Sequence, residues 1–256
     1  MPFLKLHGLA FAGLLVLHSS VVFAEKKHGI GIDIGVSNHT NRDDLASPLS
    51  YGGQEQTIGA FYDYRGAKNR HWVRAAYMTG RLNRLKPLSS ASSVDHYYGL
   101  IQYGYARPFS GDSRAVMTFW FGGIWDNMVS ARVYSYGTPT LGGTPIGTAA
   151  STLNMVLLCE LLRPENRRAV FSLSAPFLGY LLRNGYAVND FSGFSRGVIT
   201  SLNSYQRIRF CAQYEHALDG YWTLRLEYRF IYHRYVQPLT TVSIFHVLRA
   251  GLSFQF

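Results

Sequence analysis

The sequence predicts an all-β protein, a transmembrane antiparallel up-and-down β-barrel of about ten strands, with eight and twelve strands open as alternatives. Three observations carry this. In the C-terminal segment Leu248, Ala250, Leu252, Phe254 and Phe256 share one face while Arg249, Gly251, Ser253 and Gln255 share the other, so one face suits lipid and the other a wet interior. Before it, alternating segments are separated by connections that are short and long in turn. At the start stands a segment with the parts of a secretory leader.

The leader is read from Lys5, a short basic region, then the apolar run Gly8 to Leu17, then Val22-Phe23-Ala24 before a cut. Residues 1–24 are therefore assigned to a cleaved signal peptide and residues 25–256 to one barrel domain. The apolar run falls short of the ~20 residues of a transmembrane helix. No cysteine follows the cut, which argues against a lipid-anchored precursor.

The expected strands, in order, are Gly29 to Ser37, Gln54 to Tyr64, His71 to Gly80, Asp95 to Arg107, Ala115 to Asp126, Thr152 to Leu162, Ala169 to Gly179, Tyr205 to Glu215, Trp222 to Tyr232 and Val242 to Phe256. Short connections at 65–69, 110–113, 164–167 and 218–220 carry turn formers such as Gly66, Gly111, Pro164 and Gly220. The long ones run Asn38 to Gly53, Arg81 to Val94, Tyr134 to Ala150 and Leu182 to Ser204, with a short fifth loop around Pro238. The chain is 47% hydrophobic and 15% aromatic, with 18 Tyr, 16 Phe, 4 Trp and 25 Gly, a usage that suits aromatic girdles and curved strands. Mean hydropathy lies near zero because the two faces cancel in any window. A soluble sandwich or lipocalin-like barrel also alternates with period two and stays as the competing architecture.

The last strand, ending on Phe256, and the alternation before it resemble the bacterial outer-membrane β-barrel proteins. The resemblance covers the whole mature chain in pattern, its one specific motif is the C-terminal segment, and it identifies no subfamily. It implies residence in the bacterial outer membrane, Phe254 and Phe256 as the signal read by the barrel assembly machinery, and long loops facing outward. Tyr62, Tyr64, Tyr103, Tyr105 and Trp222 would then form the periplasmic girdle, and Tyr97, Trp125, Tyr205 and Tyr232 the outer one.

Facing follows from charge. Trp222, Leu224, Leu226, Tyr228, Phe230 and Tyr232 form one stripe of the ninth strand, and Thr223, Arg225, Glu227, Arg229, Ile231 and His233 the other. Arg or Lys on the lipid face near mid-membrane costs ~2–4 kcal/mol, so the charges face inward. The same rule sends Asp33, Asp63, Arg74, Glu160, Arg207, Arg209, Glu215 and Arg249 into the lumen. A three-residue turn sets Leu218 against Trp222 and Glu215 against Arg225, with Glu227 lying diagonally between Arg209 and the turn-proximal residues. These charges either fill the lumen as ion pairs or, through their arginine excess, line a narrow anion path. Cys159 faces outward and Cys211 inward on non-neighbouring strands, too far apart for a disulfide.

The formal net charge is +10, which in an envelope protein points to lipopolysaccharide phosphates rather than nucleic acid. Arg42, Arg81, Arg84, Lys86, Arg183 and Arg196 are the loop cations placed to meet them. Candidate rim residues are His39, Asp95, His96 and His233. His39 would approach His233 and Ser243 where the first strand closes on the last, a setting for acyl transfer. The specific signatures do not stand out, however: no clear His-x-Ser deacylase segment in the mature chain, no serine followed by the phospholipase pattern, and no assignment for the paired aspartates and Asp-His couple of omptins. No catalytic residue, cofactor or metal is assigned, and His39, Asp43 and Asp44 in a loop define no coordination geometry. Three classes stay open, in this order: a structural, receptor-like or partner-binding barrel, a small anion-preferring channel, and an outer-leaflet lipid hydrolase. A partner protein would meet the long loops, where Tyr136, Tyr186 and Phe191 stand among small residues.

Overall fold

The computed structural model describes residues 28–44, 47–66, 68–85, 93–109, 116–135, 145–163, 167–183, 197–236 and 239–256. The expected leader, Lys86, Arg196 and the aromatic tips Tyr136, Tyr186 and Phe191 lie outside them. Eleven strands form: β1 (His28–Asp43), β2 (Ser47–Arg65), β3 (Arg70–Arg84), β4 (Ser93–Pro108), β5 (Met117–Ser135), β6 (Pro145–Arg163), β7 (Arg167–Arg183), β8 (Val198–Thr200), β9 (Tyr205–Ala217), β10 (Trp222–Tyr235) and β11 (Thr241–Gln255). Each long strand pairs antiparallel with its sequence neighbours, and β1 pairs with β11 from Gly29 opposite Gln255 to Asp43 opposite Thr241. The result is a closed ten-stranded barrel, with β8 added beside the end of β7. Closure pairs every strand edge internally, as hydrocarbon requires.

The strands of the barrel wall number ten, as expected, rather than eight or twelve, but they run longer. The first expected long loop is mostly strand, because β1 continues past Ser37 to Asp43 and β2 starts at Ser47; β6 likewise starts at Pro145, inside the third, and β5 runs past Asp126 to Ser135. The reason is visible in facing. Beyond Val36 the outward residues of β1 turn polar, at Asn38, Thr40 and Arg42, while the inward ones, Ser37, His39, Asn41 and Asp43, stay fully buried. The barrel wall thus rises above its apolar band at the end that carries the long connections.

Outside, the band is bare hydrocarbon: Ile32 and Ile34 are 65% and 63% exposed, and Leu248 is 58% exposed. So large a continuous apolar exterior suits lipid and not water, which decides against the soluble alternatives. Among the described residues no helix is long and apolar enough to cross a membrane, which says nothing of a barrel, whose strands would be the crossing elements. Turns hold the opposite end: the Gly66 N–H donates to the Asn69 carbonyl and the Leu218 N–H to the Trp222 carbonyl, each at 2.8 Å.

Two facing expectations fail. Tyr205 is not an outer-girdle residue, because it shares the inward stripe with Arg207 and is buried. Trp125 and Tyr103, expected in opposite girdles, are cross-strand partners and so lie at nearly one height, since paired residues sit ~5 Å apart. In β7 a bulge does more. Leu153 pairs with Leu178 while Asn154 pairs with Pro176, so Phe177 is an extra residue and both Phe177 and Leu178 face outward. Beyond it the alternation is inverted, which aims Arg183 into the barrel. The sequence placed Arg183 in an exposed loop.

Inside, apolar clusters separate polar ones. Trp72, Ala106, Trp120, Ile124, Val156, Leu158 and Val170 pack together nearer the short-turn end. Met78, Tyr98, Leu100, Met128, Ile231, Phe245 and Val247 pack across the middle. Tyr51, Leu82, Val94, Tyr134 and Ile146 close the long-loop end.

Candidate functional site

The charged residues that alternation sends inward, Asp33, Asp63, Arg74, Glu160, Arg207, Arg209, Glu215, Arg225, Glu227, Arg229 and Arg249, are all buried. They meet in three groups. Near the middle, Arg74 bridges Asp33 at 2.5 Å and Glu227 at 2.6 Å, while Arg229 holds the other Glu227 oxygen at 3.1 Å and Arg249 lies 3.5 Å from Asp33. Towards the turns, Glu215 takes Arg65 at 2.8 Å and also Arg168, Glu160 takes Arg168 at 3.0 Å, and Asp63 takes Arg225 at 3.3 Å. On the far wall Asp126 collects Arg209 at 2.7 Å and Arg207 at 3.5 Å.

Glu215 does face Arg225 across β9 and β10, but Glu227 faces Gln213 and does not reach towards Arg209. A narrow barrel lets long side chains span it, so Glu227 gives one oxygen to Arg74 of β3 and the other to Arg229 of its own strand. Between these groups lies a cavity of about 70 Å³ lined by Asp63, Arg74, Arg209, Cys211 and Arg229 among others. That is room for a few water molecules. Cys159 and Cys211 are both free.

Sequence reasoning missed several members. Arg65 reads as a turn residue and Arg168 stands unassigned between a turn and a strand, yet both reach inward to Glu215. Asp43 and Arg132 lie on stretches read as loop or left unassigned, and Asp43 holds Arg132 at 3.2 Å and Arg183 beside it. The sequence carries no alternation signal at 37–43, where every residue is polar; only the burial of every second residue, unbroken from Asp33 to Asp43, marks this stretch as wall.

The exposed loop cations expected to meet lipopolysaccharide fare differently. Arg42 pairs with Asp44 and Arg81 with Asp95, each at 2.8 Å, so their charge is partly met within the chain. This also moves Asp95 out of the rim group: Val94 and His96 face inward, so Asp95 between them points outward. His233 is buried against Tyr205 and Tyr235, with ring centroids at 5.1 and 5.2 Å, and Ser243 donates to Asn41 at 2.9 Å. His233 and Ser243 are cross-strand partners on β10 and β11, while His39 stands opposite Phe245 and bonds to neither.

What does form is a polar cluster of His39 (β1), Glu55 (β2), His96 (β4) and Ser130 (β5). His39 Nδ1 lies 3.0 Å from Glu55 Oε1, His96 Nδ1 lies 2.5 Å from the same oxygen, and His96 Nε2 lies 3.1 Å from Ser130 Oγ. His96 reaches across β3 because the residue between it and Glu55 is Gly80, which pairs with both. A Cβ at Gly80 would stand 2.8 Å from Glu55 Cα and 2.9 Å from its Cγ. His39 stacks on Phe245 with centroids 3.9 Å apart.

A serine, a histidine and a carboxylate in this order have the connectivity of an acyl-transfer triad, and two imidazoles with a carboxylate are also metal donors. Burial separates the two. His39, Glu55 and His96 are fully buried, and Ser130 is 6% exposed, between the apolar middle of the barrel and the cluster at its long-loop end. An acyl chain has no place there, whereas a single ion does.

No protein-family model matches the chain, and no curated protein matches it. Among solved structures, the outer membrane protease OmpT from Escherichia coli aligns over 93% of this chain and 99% of its own, with TM-score 0.55 and 9% identity. Neisserial surface protein A aligns over 89% of this chain and 97% of its own, with TM-score 0.39 and 14% identity. At 9% identity the first of these speaks to fold alone, and the second adds no argument. Strand number, closure, bare apolar exterior and this likeness agree: the chain has the fold of the bacterial outer-membrane β-barrels.

Proposed function

We propose that this protein resides in the bacterial outer membrane as a closed, non-conducting barrel whose role is structural, receptor-like or partner-binding. The carrying observation is the filled lumen. Arg207, Arg209, Arg225 and Arg229, the residues that would line an anion path, each lie within 3.5 Å of a carboxylate oxygen. Apolar side chains pack across the barrel between the charged groups. An arginine already neutralised by a carboxylate offers little field to a passing anion. Contact with the surroundings then falls to the tall wall above the apolar band and to its loops, which would meet a protein partner or lipopolysaccharide. Residues 1–24 would serve export and be removed.

Planar-bilayer recording on the folded protein tests this reading. A silent bilayer is the expected result. Steady anion-selective steps that shrink on replacing Arg225 or Arg229 would establish the channel instead.

The same reading gives the last strand a task. Phe254 and Phe256 stand on the outward stripe, Phe256 stacks with His28 at 5.5 Å, and the Phe256 N–H donates to the His28 carbonyl at 2.9 Å. The closing pair of strands thus ends on the residue offered to the assembly machinery. Phe256→Asp is expected to lower the amount of heat-modifiable, folded barrel in membranes several-fold. Wild-type levels of that species would remove Phe256 from the role.

A further inference from the structure

We infer that His39, Glu55 and His96 bind a divalent transition ion, with zinc as the best match to their donors. Imidazole nitrogen with carboxylate oxygen is a zinc donor set, and hard cations such as magnesium prefer all-oxygen sites. One donor atom from each of the three residues lies within 4.8 Å of the others, a spread that closes to ~3.5 Å when donors converge on a tetrahedral ion at about 2.0–2.2 Å. With three protein donors, the fourth place of the tetrahedron falls to water.

Several independent features point to a ligand rather than to a self-contained hydrogen-bond group. Two imidazoles converge on a single oxygen, Glu55 Oε1. Meanwhile His39 Nε2 and Glu55 Oε2 are buried with no hydrogen-bond partner among the described residues. Leaving buried polar atoms unmet is costly, and buried charged groups are usually paired or bound to a metal. The cluster also has an outer support. Ser130 Oγ stands at His96 Nε2, on the far side of the ring from Glu55, and so fixes which nitrogen faces the ion.

Proton accounting is consistent. Without the ion, a neutral His96 with its proton on Nδ1 donates to Glu55 Oε1 and accepts from the Ser130 O–H at Nε2. On binding, Nδ1 must offer its lone pair, so the ring proton moves to Nε2 and donates to Ser130 Oγ. Arg132, two residues beyond Ser130 on the same face, is already held by Asp43 at 3.2 Å, so its charge does not stand unpaired beside the ion. Gly80 is the backbone condition for the whole arrangement, since any larger residue there stands between His96 and Glu55. This inference goes beyond the role proposed above and holds whether or not the barrel conducts.

The test is zinc content and affinity of the folded protein, purified in detergent, with Zn²⁺ alone as probe and Co²⁺ as spectroscopic substitute. One equivalent of zinc per chain is expected after gel filtration, with the visible absorption of four-coordinate Co²⁺. His39→Ala, His96→Ala and Glu55→Gln are expected to lose that equivalent while keeping heat-modifiable mobility. Ser130→Ala is expected to weaken binding ~10–100-fold without abolishing it, as an outer support should. Should the ligand variants fail to fold, the Co²⁺ spectrum of the unaltered protein decides alone. Zinc uptake that is absent, or unchanged in folded His39→Ala and His96→Ala, overturns the inference. So does Ser130-dependent labelling by a fluorophosphonate in a protein that takes up no zinc, which would make the cluster a triad.

Discussion

Arg74→Leu is expected to destabilise the folded barrel by about 3–5 kcal/mol, the cost of removing one partner from a buried charge group. Arg74 touches two carboxylates at hydrogen-bond distance, Asp33 and Glu227, on strands from opposite sides of the closing seam. Its loss leaves both buried anions without the cation that holds them most closely. Each retains a second arginine, but Arg249 is 3.5 Å from Asp33, a looser contact than the one removed. Urea unfolding of the refolded protein measures the effect. A loss under about 1 kcal/mol, typical of an exposed pair, would mean that water reaches this group freely.

Leu226→Arg is expected to cost about 2–4 kcal/mol, the range for a cation on the lipid face near the bilayer midplane. Leu226 lies midway along the outward stripe from Trp222 to Tyr232, is 44% exposed, and has Ala250 and Tyr214 as cross-strand partners. Nothing beside it supplies a carboxylate. Asn38→Arg is the matched control, because Asn38 stands above the band on the stripe that already carries Arg42. Its cost should stay under about 1 kcal/mol, as near an interface. Equal penalties at the two positions would show that the apolar band is placed wrongly.

Strand number, direction, order and the facing of the lumen charges were legible because each rests on local alternation, and a one-residue error would have put Arg225 or Glu227 into lipid. Cross-barrel partners were not. Whether Glu227 meets Arg209 or Arg74 depends on how the sheet curls, which no stretch of sequence records. Strand ends were underestimated because Asn38 to Asp43 looks like loop composition, and only burial of every second residue marks it as wall. Arg183 was misplaced because the extra residue at Phe177 inverts the alternation, and nothing in Ala175-Pro176-Phe177-Leu178 says on which side the insertion falls. His39 and His96 were each noted at the rim, but Glu55 was overlooked. The three come together only through the glycine on the strand between them.

The pairing of Asp33 with Arg74 and Arg249 has a consequence for how the chain reaches its native state. Arg249 is on the last strand and Asp33 on the first, so these partners meet only when β11 has zipped onto β1. Until then the sheet carries stranded charges on what will be its inner face, and a partly curled intermediate gains little. Such a barrel should assemble in an all-or-none manner, its electrostatics rewarding completion and penalising every pause, so that the lumen acts as a check on whether the ring has been sealed.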